Sequence, residues 1–185
     1  MKKIFMTSAL LLGGLSWAQT APATPPAPAA PSTTLDAFLS QTGILTVRES
    51  LGTKSIPVSY GGTLSLEAVK VYTPGREAQA LLGIRIGVND GDKYSSTRYE
   101  FIELAEVDEM IKAIRYMVDA APKLKTEFKP EMKFKSKSDV RIGLFNSIEG
   151  GFKGFAQAST ETVYFLLDAL TLTGDALAEL KAKLK

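Results

Sequence analysis

The stretch 99-YEFIELAEVDEMIKAIRYM-117 changes its hydrophobic period partway along, and this change decides the fold. Its first residues continue a strand pattern that begins near residue 93, whereas residues 105–121 carry apolar side chains at helical spacing. Those helical positions are Val107, Met110, Ile111, Ile114, Met117 and Val118. Acidic residues suit the positive end of the helix dipole at the helix start, and Pro122 ends the helix. The segment therefore predicts a strand that leads directly into an amphipathic helix.

Strand patterns separated by turn residues surround this junction on both sides. The predicted strands are 44–51, 54–60, 63–73, 78–88 and 93–104 before the first helix, then 123–135, 140–147, 152–158 and 162–172 before a second helix over 174–185. Pro57 places its strand at a sheet edge, and a shift of apolar phase indicates a bulge near Glu67-Ala68. A short helix over residues 35–41, capped by Thr34, precedes them.

These elements predict the α+β class, with antiparallel β-meanders and two amphipathic helices. The chain reads as two similar halves, residues 44–121 and 123–185, each with about four strands followed by one helix. A shift of 70 residues superimposes apolar positions of the two helices: Val107 on Leu177, Met110 on Leu180 and Ile114 on Leu184. The same shift sets Ile102 on Leu172. A true repeat and a chance match between two amphipathic helices both remain open.

The N-terminal residues predict export. Residues 1–18 combine two lysines, an apolar run and the small residues Ser16 and Ala18, which is typical of a signal peptide cleaved before Gln19. An uncleaved anchor is the alternative. Residues 19–34 are rich in Pro, Ala and Thr and predict an extended tether, which leaves residues 35–185 as a single domain. We expect a periplasmic or secreted protein with no membrane span once the signal is removed.

Composition excludes several kinds of chemistry. The whole chain has 22 basic and 20 acidic residues, and cleavage before Gln19 would leave a formally neutral protein. It has no cysteine and no histidine, so a disulfide, a Ser-His-Asp or Cys-His catalytic group, and thiolate or imidazole metal ligands are all impossible. We therefore expect no enzyme activity, no cofactor and no metal site.

A basic segment, 123-KLKTEFKPEMKFKSKSDVRIG-143, alternates charged residues at odd positions with mostly apolar residues at even positions. Its candidate ligand contacts are Lys133, Lys135, Lys137 and Arg141. A single-strand nucleic-acid site pairs such cations with aromatic stacking platforms, but alternation sends Phe128 and Phe134 to the opposite face. The pattern favours a solvated strand face at a sheet edge, and a polyanion site is the competing interpretation.

Three further segments have both a structural and a functional interpretation. Residues 150–155 read as a hairpin turn rather than a phosphate cradle, and Phe152, Lys153 and Phe155 are candidate exposed binding residues. Residues 89–92 read as a hairpin turn rather than part of a calcium loop. Glu100 and Glu103 read as ordinary strand acids, with a carboxylate-dependent hydrolase as the alternative.

The junction over residues 99–117 resembles small exported bacterial α+β proteins, a likeness that covers about a tenth of the chain. The plan of four strands and a helix, present twice, is similar in arrangement to the topology of Whirly-type single-stranded-DNA-binding proteins. Neither resemblance implies an activity or supplies functional residues.

The sequence as a whole predicts an exported, non-catalytic binding or interaction domain of the cell envelope. We expect its partner to be a protein or an envelope component, bound through a sheet face or an edge strand such as the Pro57 strand or the lysine strand. The alternatives are a polyanion or single-stranded nucleic-acid binder, which the neutral mature charge disfavours, and a carboxylate hydrolase.

Overall fold

The computed structural model describes residues 33–125, 127, 129–148 and 150–185. The predicted signal peptide and nearly all of the predicted tether lie outside these residues. The described residues form eight strands and three α-helices, which confirms the α+β class. The elements are α1 Thr34–Leu39, β1 Val47–Ile56, β2 Thr63–Tyr72, β3 Leu81–Asn89, β4 Arg98–Glu103, α2 Leu104–Ala120, β5 Glu131–Lys135, β6 Arg141–Asn146, β7 Phe152–Ala158, β8 Glu161–Leu166 and α3 Leu167–Ala182.

The strands form two antiparallel meanders, in the orders β1-β2-β3-β4 and β5-β6-β7-β8. We call them the first and the second sheet, and each is followed by one long helix. α2 and α3 pack against each other, and each contacts strands of both sheets. One hydrophobic core lies between these helices and the inner faces of the two sheets. The opposite face of each sheet, which we call its outer face, points away from this core.

The first sheet corrects two predictions. The separate strands expected over 44–51 and 54–60 are one strand, β1, which ends just before Pro57. The bulge lies in β1, where Leu51 is the extra residue opposite β2, and not at Glu67-Ala68. The apolar phase of β2 shifts because both of its faces are buried: Leu66 enters the main core, whereas Val69 lies under α1 on the outer face.

The lysine segment is a strand over only part of the predicted length. Residues 121–123 form a 3₁₀ turn, and the strand β5 is restricted to Glu131–Lys135, at the edge of the second sheet. Alternation is as expected there, since the odd-numbered charged residues are exposed while Met132 and Phe134 pack against the core. Phe128 lies outside the described residues.

The second long helix begins earlier than predicted. Residues 167–172 were expected to extend a strand, but they form the first turns of α3. Gly174, expected to begin the helix, lies inside it, where a Cβ would be 3.1 Å from Cγ2 of Ile114 in α2. A glycine, normally unfavourable within a helix, is used here for the close approach of two helices.

The elements of the two halves correspond one to one, but the difference in residue number between corresponding elements is not constant. Ile84 pairs with Ile102 in the first sheet, and Gly154 pairs with Phe165 in the second. These pairs give a shift of 70 residues for the third strand and 63 for the fourth, because residues 90–97 connect the first pair of strands and only 159–160 connect the second. The predicted 70-residue alignment of the helices is therefore wrong by seven residues, or about two turns.

The short helix α1 covers part of the first sheet's outer face. It begins at Thr34, and its N-cap is Thr33, one residue before the predicted cap. The side chain of Thr33 accepts a hydrogen bond from the amide of Asp36 at 3.0 Å. Leu35 is 1% exposed and forms a small cluster with Val69 and Val71. Within the described residues, no helix is long and apolar enough to cross a membrane.

Candidate functional site

The outer face of the second sheet is the main candidate site. Strand register sets its side chains in three rows across the four strands. From β5 to β8 the rows are Glu131, Phe145, Lys153 and Leu166; then Lys133, Gly143, Phe155 and Tyr164; then Lys135, Arg141, Gln157 and Thr162. Cations therefore concentrate near the β5 edge, and aromatic rings occupy the middle of the sheet and the β8 edge.

Three aromatic side chains form a cluster on this open face. The ring centroids of Phe145 and Phe155 are 6.3 Å apart, and those of Phe145 and Tyr164 are 5.8 Å apart in an edge-to-face arrangement. The ring of Phe155 lies over Gly143, where a Cβ would be only 2.7 Å from Cε1 of that ring. The absence of a side chain at Gly143 lets the phenylalanine lie low across the sheet, towards the lysine strand.

This cluster overturns the sequence argument against stacking beside the lysines. Phe134 does lie on the opposite face from Lys133 and Lys135, as alternation predicts. Phe145 and Phe155, however, come from the neighbouring strands and share the lysine face. One ligand on this face could therefore contact aromatic rings and lysines at the same time.

A cavity of ≈ 500 Å³ lies over the aromatic cluster. Its walls combine the three rings with polar groups from Glu131, Lys153, Gln157 and Thr162 and with the ring of Tyr60. Tyr60 comes from the loop after β1, and that loop is held at β8 by a hydrogen bond from the Ser59 amide to the Tyr164 carbonyl at 2.7 Å. The volume is within the range of small-ligand and side-chain pockets.

The basic residues of this face are partly neutralised by acids. Lys135 Nζ lies 2.8 Å from Asp139 Oδ1, and Arg141 Nη2 lies 3.0 Å from the same oxygen. Hydrogen bonds from Lys135 and then Arg141 hold the pKa of Asp139 below its ordinary value. Lys133 Nζ is 3.3 Å from Glu131. These pairs are solvent-exposed and therefore weak, and a positive excess remains on the face.

The other predicted site residues are distributed differently from expectation. Lys137 lies in the turn between β5 and β6, with its side chain exposed and its amide donating to Glu106 Oε1 at 2.9 Å. Phe152 points towards the core and packs against it, so it does not share a face with Lys153 and Phe155. Of the candidates from residues 150–155, only Lys153 and Phe155 belong to the outer face.

The corresponding part of the first sheet's outer face is covered by α1. The register equivalence of the halves places Val69 at the position of Phe145 and Phe101 at the position of Tyr164. Both Val69 and Phe101 pack beneath α1. Beside them, Arg85 Nη2 lies 2.7 Å from Glu67 Oε2 in an ion pair, and the Arg85 guanidinium carbon lies 4.2 Å from the ring centroid of Tyr99. The same region of the second sheet has no such cover within the described residues.

The remaining chemical candidates do not converge on a site. Glu100 faces inwards from β4, whereas Glu103 lies on the outer face, where it accepts amide hydrogen bonds from Thr34 and Leu35 at the start of α1. Asn89 and Asp92 accept hydrogen bonds from backbone amides two residues ahead, as turn residues do. Among the described residues, no group of three or more acids is placed to hold a metal ion.

Sequence reasoning missed Phe145, Tyr164 and Tyr60 as site residues. The first two alternate correctly with buried neighbours along β6 and β8, so their outward direction was available from sequence. Their proximity to the lysines depends on the pairing of strands, which no local pattern specifies. Tyr60 is 74% exposed and joins the cavity only through the packing of the loop after β1.

No protein-family model matches this chain. A search of curated proteins likewise found no match.

Proposed function

We propose that this chain is a non-catalytic binding domain of the cell envelope that holds its partner on the outer face of the second sheet. The observation that carries the proposal is the aromatic cluster of Phe145, Phe155 and Tyr164, which lines a solvent-open cavity of ≈ 500 Å³. Export through the N-terminal signal would place the domain outside the cytoplasm, on the tether that precedes α1.

The comparison of the two halves supports a binding role for this face. An outer sheet face with apolar side chains is covered by α1 in the first half, whereas no described element covers the equivalent face in the second. Exposed aromatic groups surrounded by polar residues are a common feature of interaction surfaces. Interfaces also concentrate their binding energy in a few aromatic and arginine side chains, and the second sheet provides both.

Loss of binding in a variant with F155A and Y164A would test the proposal. The probes are a single-stranded oligothymidine, heparin, a chitin oligosaccharide and acidic peptides, titrated into isotope-labelled mature protein and followed by amide chemical shifts. We expect at least one probe to shift residues of β6–β8 and to lose this effect in the double variant. Y116A is the matched control, since Tyr116 is 68% exposed on α2, away from both sheet outer faces.

A binder of polyanions or single-stranded nucleic acid is the second candidate. It is favoured by one observation, the presence of Phe145 and Phe155 on the same open face as Lys133 and Lys135. Against it stand the acids Glu131 and Asp139, which neutralise part of the charge.

Salt dependence separates the two candidates. A polyanion binder would lose affinity steeply as salt increases, and a variant with K133Q and K135Q would show a shallower salt slope. K112Q is the control, because Lys112 is an exposed lysine of α2 paired with Glu109 at 2.9 Å. An affinity for oligothymidine that does not change with salt or with these lysines would contradict the polyanion function.

A further inference from the structure

We infer that the outer face of the second sheet takes a short acidic peptide segment of a protein partner, with apolar side chains inserted among Phe145, Phe155 and Tyr164. This inference rests on the proposed function and adds the chemical class of the partner. Three features of the structure lead to it: the way α1 covers the first sheet, the charge of the second sheet and the dimensions of its cavity.

The first sheet shows how this chain covers such a face. α1 has only six residues, and it closes the first sheet by placing Leu35 and Phe38, one helical turn apart, against Val69 and Phe101. The equivalent positions in the second sheet are Phe145 and Tyr164, and there no described element performs this role. By comparison with α1 on the first sheet, we expect the occupant of the second sheet to be a short segment with two apolar side chains about one helical turn apart.

The charge of the second sheet differs from that of the first, and this difference selects an acidic segment. Glu103 accepts the first amides of α1 in the first sheet, but its equivalent in the second sheet is Leu166. Lys153 replaces the neutral Gly83. Among the described residues of this face, the cations, which also include Lys133, Lys135 and Arg141, outnumber the acids Glu131 and Asp139. A carboxylate on the segment would therefore be attracted to the face, and a lysine would be repelled.

The cavity accommodates a few side chains but not a large fold. Its volume of ≈ 500 Å³ matches one or two inserted apolar groups, with Gln157 and Thr162 available for polar contacts at its wall. β8 is the edge strand beside it, and the amide of Ser59 already occupies the Tyr164 carbonyl. The segment is therefore placed on the face of the sheet and not added to the β8 edge at Tyr164.

A synthetic peptide based on α1 provides the probe. It has the sequence of residues 33–41 with S40E and Q41E, and it is dye-labelled for fluorescence anisotropy with the full mature chain. We expect saturable binding that is at least about tenfold weaker to the variant with F155A and Y164A. A variant with K133Q and K135Q should bind a few-fold less tightly, whereas K112Q and Y116A should bind as the parent does.

Two control peptides test the chemistry of the segment. One carries L35S and F38S within the same acidic sequence, and the other keeps the apolar residues but replaces every acid by its amide. Both should bind at least several-fold less tightly than the parent peptide. Y164S serves as a milder variant if the double variant unfolds, because Tyr164 lies on an edge strand and is 43% exposed.

The outcomes distinguish this inference from the proposed function. If no acidic peptide binds below about 1 mM while the double variant loses oligothymidine or glycan binding, the peptide inference is overturned and the binding face stands. Equal binding of the acidic and neutral peptides, or dimerisation of the chain that the double variant abolishes, also overturns it. If no probe distinguishes the double variant from the parent, the proposed function fails as well.

Discussion

At the scale of single residues, the alternation of side chains along each strand decides which residues of the second sheet face the core and which face solvent. The exposed lysines and the core-facing Met132 and Phe134 were predicted from a period of two, and the structure confirms them. The neighbourhood of Phe155 was not predictable in the same way. Its ring reaches across Gly143, and this contact depends on the register between two strands.

Gly154 provides a residue-scale prediction. A Cβ at this position would lie 2.2 Å from Cε2 of Phe165, whose side chain is 1% exposed and has no space to move. We expect G154A to lower the free energy of unfolding by about 1–3 kcal/mol through overpacking. Denaturant unfolding measures the change.

A double-mutant cycle checks that explanation. Replacing the Phe165 ring by the smaller leucine side chain in F165L should relieve the clash. G154A should then lower the free energy of unfolding by less in the F165L background than in the parent. Additive losses from the two substitutions would show that the glycine is needed for another reason.

Glu100 provides a prediction about pH. Burial raises the pKa of this carboxyl above its ordinary value of 4.5, and repulsion from Asp36 and Asp139 adds to the rise. A carboxyl with a raised folded-state pKa binds protons more tightly in the folded state. Its contribution to stability therefore decreases as pH increases from the unfolded pKa through the folded pKa.

The expected result is that E100Q is more stable than the parent at neutral pH. The difference in free energy of unfolding should shrink as the pH falls through the raised folded-state pKa and should vanish below the ordinary pKa of 4.5, where the parent carboxyl is neutral in both states. Thermal unfolding of both proteins across a pH series measures this. A difference that is independent of pH would assign the effect of E100Q to packing and not to charge.

At the scale of elements, the predictions were right where one hydrophobic period runs through the whole element. They were wrong where contacts with other elements set the boundaries of the element. α2 was predicted within one residue at its start, because its apolar stripe and acidic first turn agree. α3 was misplaced by several residues. The sequence pattern extended a strand to residue 172 and began the helix at Gly174, whereas the helix begins at Leu167 and includes Gly174, which packs closely on Ile114.

The docking of α1 yields an element-scale prediction. Leu35 is the buried anchor of this six-residue helix, and so short a helix has little stability of its own. We expect L35A to release α1 from the first sheet while the main core remains folded. Hydrogen exchange should increase in residues 34–41, and proteolysis should become faster there.

The control for this experiment is I148A, since Ile148 is 97% exposed in the turn between β6 and β7. It should leave exchange in α1 unchanged. If L35A instead abolishes protection throughout both sheets, α1 is an integral part of the core and not a separate cover.

At the scale of the whole molecule, the two halves share a plan but differ in what covers the outer faces of their sheets among the described residues. The predicted plan of four strands and one helix, present twice, is confirmed in outline. The two halves cannot be aligned by one constant shift, because their third and fourth strands are joined by connections of unequal length, residues 90–97 and residues 159–160. The length of a turn varies independently of the strands that it joins. The open face of the second half and the covered face of the first emerged only from the assembled sheets.

Export is the whole-molecule prediction. Expression of the full chain in a bacterium should yield a protein that begins at Gln19, detected by intact mass and N-terminal sequencing. A18R should block this cleavage, because a signal peptidase requires a small residue at that position. A full-length chain recovered from the membrane fraction would instead support the uncleaved anchor.

The position of α1 at the N-terminal end of the described residues has a mechanical consequence. Any tension carried by the preceding segment is applied at Thr33, the cap of a helix whose attachment rests on Leu35, Phe38 and Glu103. A pull along the chain therefore detaches α1 before it loads the hydrogen-bonded strands. Force on the predicted tether would uncover the outer face of the first sheet and leave the second sheet undisturbed.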